Sequence, residues 1–159
     1  MCSVIDLGAL EKTDRENWMI RQLLFAFTLG SLTVALHALG TMYVVIPATG
    51  LGSWRADPPN RDRPEWKLVR LVSLLLVLHL VEMVVWGEAF SLMGVFSSFE
   101  TSLYYSLTSY TTVGYGDVLP EQSWRLLGPI EAAVGVLMLG WSTGIIVAAV
   151  QRIYQSRPS

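Results

Sequence analysis

Thr111-Thr112-Val113-Gly114-Tyr115-Gly116-Asp117 is the stretch on which the reading of this chain turns. Two glycines alternate with bulky side chains directly after a short apolar run. Glycine accepts positive φ without steric cost, so Gly114 and Gly116 permit a backbone whose handedness alternates. Such alternation turns the carbonyl oxygens of Thr112, Val113, Gly114 and Tyr115 toward one side. Four strands of this kind around one axis would stack those oxygens into cages that replace the water shell of a monovalent cation. Gly-Tyr-Gly-Asp by itself also fits a glycine-rich turn, so the flanking sequence has to decide.

The flanks are apolar to a degree that soluble domains are not. The chain of 159 residues is 52% hydrophobic and 15% charged, with a mean hydropathy of +0.46. Soluble domains carry about 25% charged residues. No Asp, Glu, Lys or Arg occurs from Gln22 to Trp54; Glu82 is the one charge from Leu71 to Trp86, and Glu131 the one from Leu126 to Gln151. Each block supplies the roughly 20 residues that cross a bilayer, and none has a polar face to offer water. The net charge of −2 gives no case for nucleic acid as a partner. Cys2 is the only cysteine, which leaves no disulfide framework within one chain and no thiolate metal cluster. Asp6, Glu11, Asp14 and Glu16 stand where a secretory signal would be basic.

The chain divides accordingly. Residues 1–20 are a polar segment with Trp18 at the membrane boundary. A first spanning helix is expected over 21–46, ending before Pro47, and 47–65 is a loop rich in Gly, Pro, Asn and Asp. A second helix is expected over 66–90, with Pro64 at its entry. Ser97 and Glu100 fit a capping box for a short helix over 98–110. That helix is too short to cross a membrane, and the extended 111–117 segment after it is tolerated at that depth only where protein or water surrounds it. Its C-terminal dipole end would favour a cation. A third spanning helix is expected over 124–154, followed by the short tail 155–159.

The order helix, half-length helix, Thr-Thr-Val-Gly-Tyr-Gly-Asp, helix over 66–154 resembles the two-helix pore module of potassium channels, and the whole chain resembles small prokaryotic members with one extra N-terminal helix. The resemblance implies an all-α membrane protein: three transmembrane helices plus a re-entrant pore helix and an extended selectivity filter, assembled as a homotetramer. It implies passive potassium conduction and no enzyme activity. It requires no cofactor besides K+ as the permeating ion, which the backbone carbonyls of Thr112, Val113, Gly114 and Tyr115 would bind. Thr111, Gly116, Asp117, Tyr104, Tyr105 and Thr108 would support the filter, with Tyr115 packed against the pore helix. Asp117 and Glu121 would gather cations at the outer mouth. The alternative is a non-conducting assembly or regulatory subunit that keeps the pore fold.

In the family the filter faces outward. That places the N-terminus outside and the C-terminus in the cytoplasm of a plasma (inner) membrane. Arg55, Arg61, Arg63, Lys67, Arg70, Arg152 and Arg157 then lie inside, against Lys12, Arg15, Arg21 and Arg125 outside, in the sense of the positive-inside rule. The partners implied are further copies of the chain and membrane lipids, with an unidentified regulatory partner left open.

The chain departs from the best-known bacterial pores in its pore helix. Tyr104 and Tyr105 stand where two tryptophans are common, and Thr108 where some members carry a glutamate that pairs with the filter aspartate. Glu131 is a candidate substitute carboxyl. Gly135 falls where family inner helices bend, though a helical glycine equally marks a close contact, while Gly140 and Gly144 suit close packing. No segment carries arginine at every third position, so no voltage-sensing helix is expected, and the short tail leaves no room for a cytoplasmic gating domain. His79 and Glu82 share a face of the second helix, and His37 lies mid-way along the first. They read either as a hydrogen-bonded group holding these helices together or as a proton sensor.

Overall fold

The computed structural model describes residues 7–49 and 64–155. Expectations about 1–6, most of the 47–65 loop and the last four residues lie outside the described residues. Helix α1 runs Leu7–Gly40, continues through a wider π-turn at Thr41–Val45, and closes with α2, Ile46–Thr49. Helix α3 spans Pro64–Leu92, α4 Phe99–Tyr110 and α5 Leu127–Gln155, the last preceded by a 3₁₀ turn at Gln122–Trp124. Three helical segments, Trp18–Thr49, Glu65–Leu92 and Gln122–Ile153, are long and apolar enough to span a membrane. Among the described residues there is no strand. The protein is a helical, multi-pass membrane protein.

Helix α3 is two residues longer at each end than expected and α5 one residue longer at its C-terminus; four further boundaries differ from the sequence reading for a local reason. Helix starts at Leu7, inside the expected polar segment 1–20. The first helix does not stop before Pro47. Pro47 lacks an N–H and its ring crowds the carbonyl four residues back; the π-turn absorbs that defect, with the Ile46 N–H bonding Thr41 O. The Thr49 hydroxyl then closes the end on Val45 O at 2.8 Å. The cap of α4 is Ser98, one residue later than expected. Ser98 is extended (φ −140, ψ 151) and accepts from the Thr101 N–H at 3.1 Å. Its hydroxyl also pairs with that of Thr101 at 2.9 Å, so Thr101, not Glu100, occupies the reciprocal position. Finally, α5 begins at Leu127, three residues late, with Pro129 in the first turn, where a missing N–H costs nothing.

Helix α1 packs along α3 and α5. Hydrocarbon gives no hydrophobic drive between helices, so packing and polar contacts must hold them. The Trp86 indole donates to the Thr33 hydroxyl at 2.9 Å. The Gln22 side-chain oxygen accepts from Leu126 N at 3.3 Å, serving a free N–H at the start of α5. Trp18 and Trp124 meet edge to face with centroids 5.7 Å apart. One apolar cluster, including Met83, Trp86, Phe90, Tyr105 and Met138, surrounds α4; a second, Val45, Leu71, Leu75 and Ala149, closes the opposite end. Together they hold the short helix and the segment after it in a fixed place.

Candidate functional site

The 111–117 segment leaves α4 with alternating handedness. Positive φ occurs at Thr112 (61°), Gly114 (53°) and Gly116 (76°), with Val113 and Tyr115 between them. The backbone N–H groups turn back onto the helix: Thr112 to Ser109 O at 2.9 Å and Gly114 to Thr108 O at 3.0 Å. The Thr111 hydroxyl also donates backward, to Leu107 O at 2.6 Å. Among the described residues no N–H or hydroxyl donates to the carbonyls of Thr112, Val113, Gly114 or Tyr115. Four successive acceptors are thus left free. Positive φ at Thr112 is not signalled by its residue type. A β-branched residue there is strained by about 1–3 kcal/mol, and its only sequence signal is its place two residues before Gly114.

The side chains of Val113 and Tyr115 point away from this chain's own core. Val113 is 52% and Tyr115 73% exposed. The expected packing of Tyr115 on the pore helix is therefore not made within one chain. Tyr104 donates to Asp117 Oδ2 at 2.7 Å, which ties α4 to the end of the segment. This bond holds the Asp117 carboxyl below its ordinary range and raises the Tyr104 phenol. Tyr105 is buried between Phe90 and Phe96, at centroid distances of 5.6 and 5.0 Å. Thr108 bonds its hydroxyl to Tyr105 O at 3.0 Å, an ordinary back-bond along the helix. Glu121 is exposed and opens the 3₁₀ turn, its backbone oxygen accepting from Trp124 N at 2.8 Å.

Glu131 does not stand in for the missing carboxyl beside Asp117. It is fully buried and bonds Ser106 on α4 at 2.5 Å. The Ser106 hydroxyl also lies 2.8 Å from Met83 O, which can only accept. The Ser106 hydroxyl is thus shared between Met83 O and Glu131 Oε1. The contact joins α3, α4 and α5.

Gly135 is a close contact, not a bend. A Cβ there would sit 2.2 Å from the carbonyl oxygen of Tyr110, the last residue of α4. Gly140 and Gly144 have open space around them within the chain, so the packing expected of them is not made there.

His37, His79 and Glu82 converge in the bundle interior. Glu82 Oε1 lies 2.8 Å from His37 Nδ1, and Oε2 lies 3.3 Å from His79 Nδ1. Tyr110 donates its hydroxyl to Glu82 Oε2. Ser142 on α5 lies 3.0 Å from His79 Nε2 and 3.4 Å from His37 Nε2. This hub links all three spanning helices to the residue immediately before Thr111. Only the His79–Glu82 pair was readable from spacing; Tyr110 and Ser142 carried no sequence signal.

A capped half-length helix, four free carbonyls and flanking spanning helices define a re-entrant pore architecture. Residues 78–152 match the family model described as ion channel. The chain is similar to the potassium voltage-gated channel protein Shal of Drosophila melanogaster, 33% identical over 60 residues, covering 37% of this chain and 10% of that protein. A human A-type voltage-gated potassium channel is 35% identical over 60 residues, 37% of this chain and 9% of that protein. Two-pore potassium channel 4 of Arabidopsis thaliana is 28% identical over 115 residues, 62% of this chain and 40% of that protein. The chain thus spans about a tenth of the first two relatives' length. No solved structure matches the chain with significance.

Proposed function

We propose that the chain forms a homotetrameric, potassium-selective channel that conducts K+ passively. The observation that carries this reading is the run of four unclaimed carbonyls, Thr112 to Tyr115, behind alternating positive φ at Thr112, Gly114 and Gly116. Four copies around an axis would offer rings of oxygens to a dehydrated cation. Asp117, with Glu121, would raise the local cation concentration at the mouth. Exposed Val113 and Tyr115 would pack against neighbouring copies. The charge bias supports an N-terminus outside and a C-terminus in the cytoplasm of the plasma membrane. An impermeant thiol reagent on intact cells reports the N-terminus through Cys2, the only cysteine.

The functional experiment is purified protein in liposomes under a potassium or a sodium gradient. Potassium flux well above sodium flux is expected, and Gly114→Ala should abolish it by disfavouring positive φ. No potassium flux above empty vesicles, across pH and voltage, would leave the non-conducting assembly as the better reading.

A further inference from the structure

We propose that His37, His79, Glu82 and Tyr110 form an intramembrane binding site for a single divalent ion of the zinc class. The inference stands apart from ion conduction and rests on the hub alone.

The hub's hydrogen bonds do not balance without an added positive charge. Besides the 3.1 Å approach of His79 Nδ1 to the Tyr110 hydroxyl, five contacts need a proton: two from the imidazoles to Glu82, one from Tyr110 to Glu82, and one from each Nε2 to Ser142. Two neutral imidazoles, one phenol and one serine supply four protons. A fifth proton, making one imidazolium, completes the set and neutralises the buried carboxylate. A divalent ion completes it equally well. With the ion on both Nδ1 atoms, both Nε2–H groups donate to Ser142 Oγ, whose two lone pairs accept both.

The arrangement suits the ion in other respects. Both rings turn Nδ1 toward the same carboxylate and Nε2 toward the same hydroxyl, the outer-shell support that metal-bound imidazoles use. Ligand atoms of His37, His79 and Glu82 lie within 4.8 Å of one another. Separations of 2.8, 3.3 and 3.1 Å among the imidazole, carboxylate and phenol atoms compare with roughly 3.4 Å between ligands of a tetrahedral zinc. Two imidazoles and two oxygens are a borderline donor set that zinc and cobalt(II) accept.

Charge balances as well. Starting from the proton-loaded hub, one M2+ enters while the imidazolium proton and the Tyr110 phenol proton leave. Glu82 and the Tyr110 phenolate then offset the ion, so the hub is neutral before and after. From α1 the hub is faced by His37 and from α3 by His79 and Glu82. From α4 it is faced by Tyr110, and from α5 by uncharged Ser142 and Trp141, with Glu131 further along that helix. The ion would clamp the first helix to the base of the 111–117 segment.

The chain contains two histidines, both in this hub, and one cysteine, which makes the test clean. Full-length protein carrying a histidine-free tag is stripped with chelator and titrated with cobalt(II). One cobalt per chain is expected, with the intense visible bands of tetrahedral coordination, about two protons released per ion, and imidazole back-scattering in X-ray absorption. Ser142→Ala should weaken binding roughly 10–100-fold, and Glu82→Gln should abolish the bands. If variants fail to assemble, the wild-type stoichiometry, bands and imidazole scattering decide alone. Absence of saturable tetrahedral cobalt in the wild type, or bands that persist in His79→Gln, would overturn the proposal and leave the hub a proton-bonded contact.

Discussion

Replacing Gly135 with alanine adds one methyl group where α5 crosses the end of α4. The new Cβ would lie 2.2 Å from Tyr110 O and 3.0 Å from the Tyr110 carbonyl carbon. Comfortable contacts lie near 3.5 Å, so the two helices must part by about 1 Å. Neither obstacle is a side-chain tip that can rotate aside; both are backbone. Overpacking costs typically 1–3 kcal/mol, and an unyielding backbone puts Gly135→Ala at about 3 kcal/mol. The displaced atom belongs to the residue that leads into Thr111, so the 111–117 segment moves with it. Thermal denaturation in detergent and flux in liposomes are the assays. Both should fall in Gly135→Ala. Gly140→Ala and Gly144→Ala, with open space in the chain, should retain helix stability or gain up to about 1 kcal/mol from propensity. A Gly135→Ala protein that melts and conducts like the wild type would refute the contact and restore the bend.

Substitutions at three other positions probe the contacts around the site. Glu131→Gln keeps an oxygen for Ser106 and should stay within about 1 kcal/mol of the wild type, whereas Glu131→Ala leaves the Ser106 hydroxyl without it and should cost about 1–3 kcal/mol; equal damage from both would refute that contact as the stabilising one. Tyr104→Phe removes the bond that depresses Asp117, so the carboxyl should titrate at higher pH by carbon NMR. Because the folded-state value is the lowered one, the Tyr104–Asp117 contact is present above the ordinary carboxylate range and is lost as pH falls through Asp117's depressed pKa. Ser98→Ala removes the α4 cap and should lower stability by about 1 kcal/mol in a denaturation series.

Much of the architecture was legible because membrane spans announce themselves by length and lack of charge. The uncharged run from Gln22 to Trp54 and the nearly uncharged runs around Glu82 and Glu131 fall on the three spanning helices. Boundaries were less legible where neighbouring residues offer the same chemistry. Ser97 and Ser98 are equally good caps by composition, and only backbone geometry selects Ser98. Pro47 reads as a stop, yet a π-turn lets helix continue past it. Long-range pairs were out of reach. Spacing exposes His79 and Glu82 one turn apart, but nothing local brings His37 to Glu82, Ser106 to Glu131 or Thr33 to Trp86. Gly135 was open in the sequence: a helical glycine signals either a bend or a close approach, and only the position of Tyr110 reveals the contact.

The central claim is that the carbonyls of Thr112, Val113, Gly114 and Tyr115 bind potassium on a shared axis. Anomalous diffraction from tetramer crystals soaked in rubidium or thallium(I) tests it most directly. The account predicts a column of anomalous peaks on a four-fold axis, ringed by these four carbonyl layers and diminished in sodium. Crystals with no peaks along 112–115, or a chain arrangement that never brings four copies of that segment together, would contradict it.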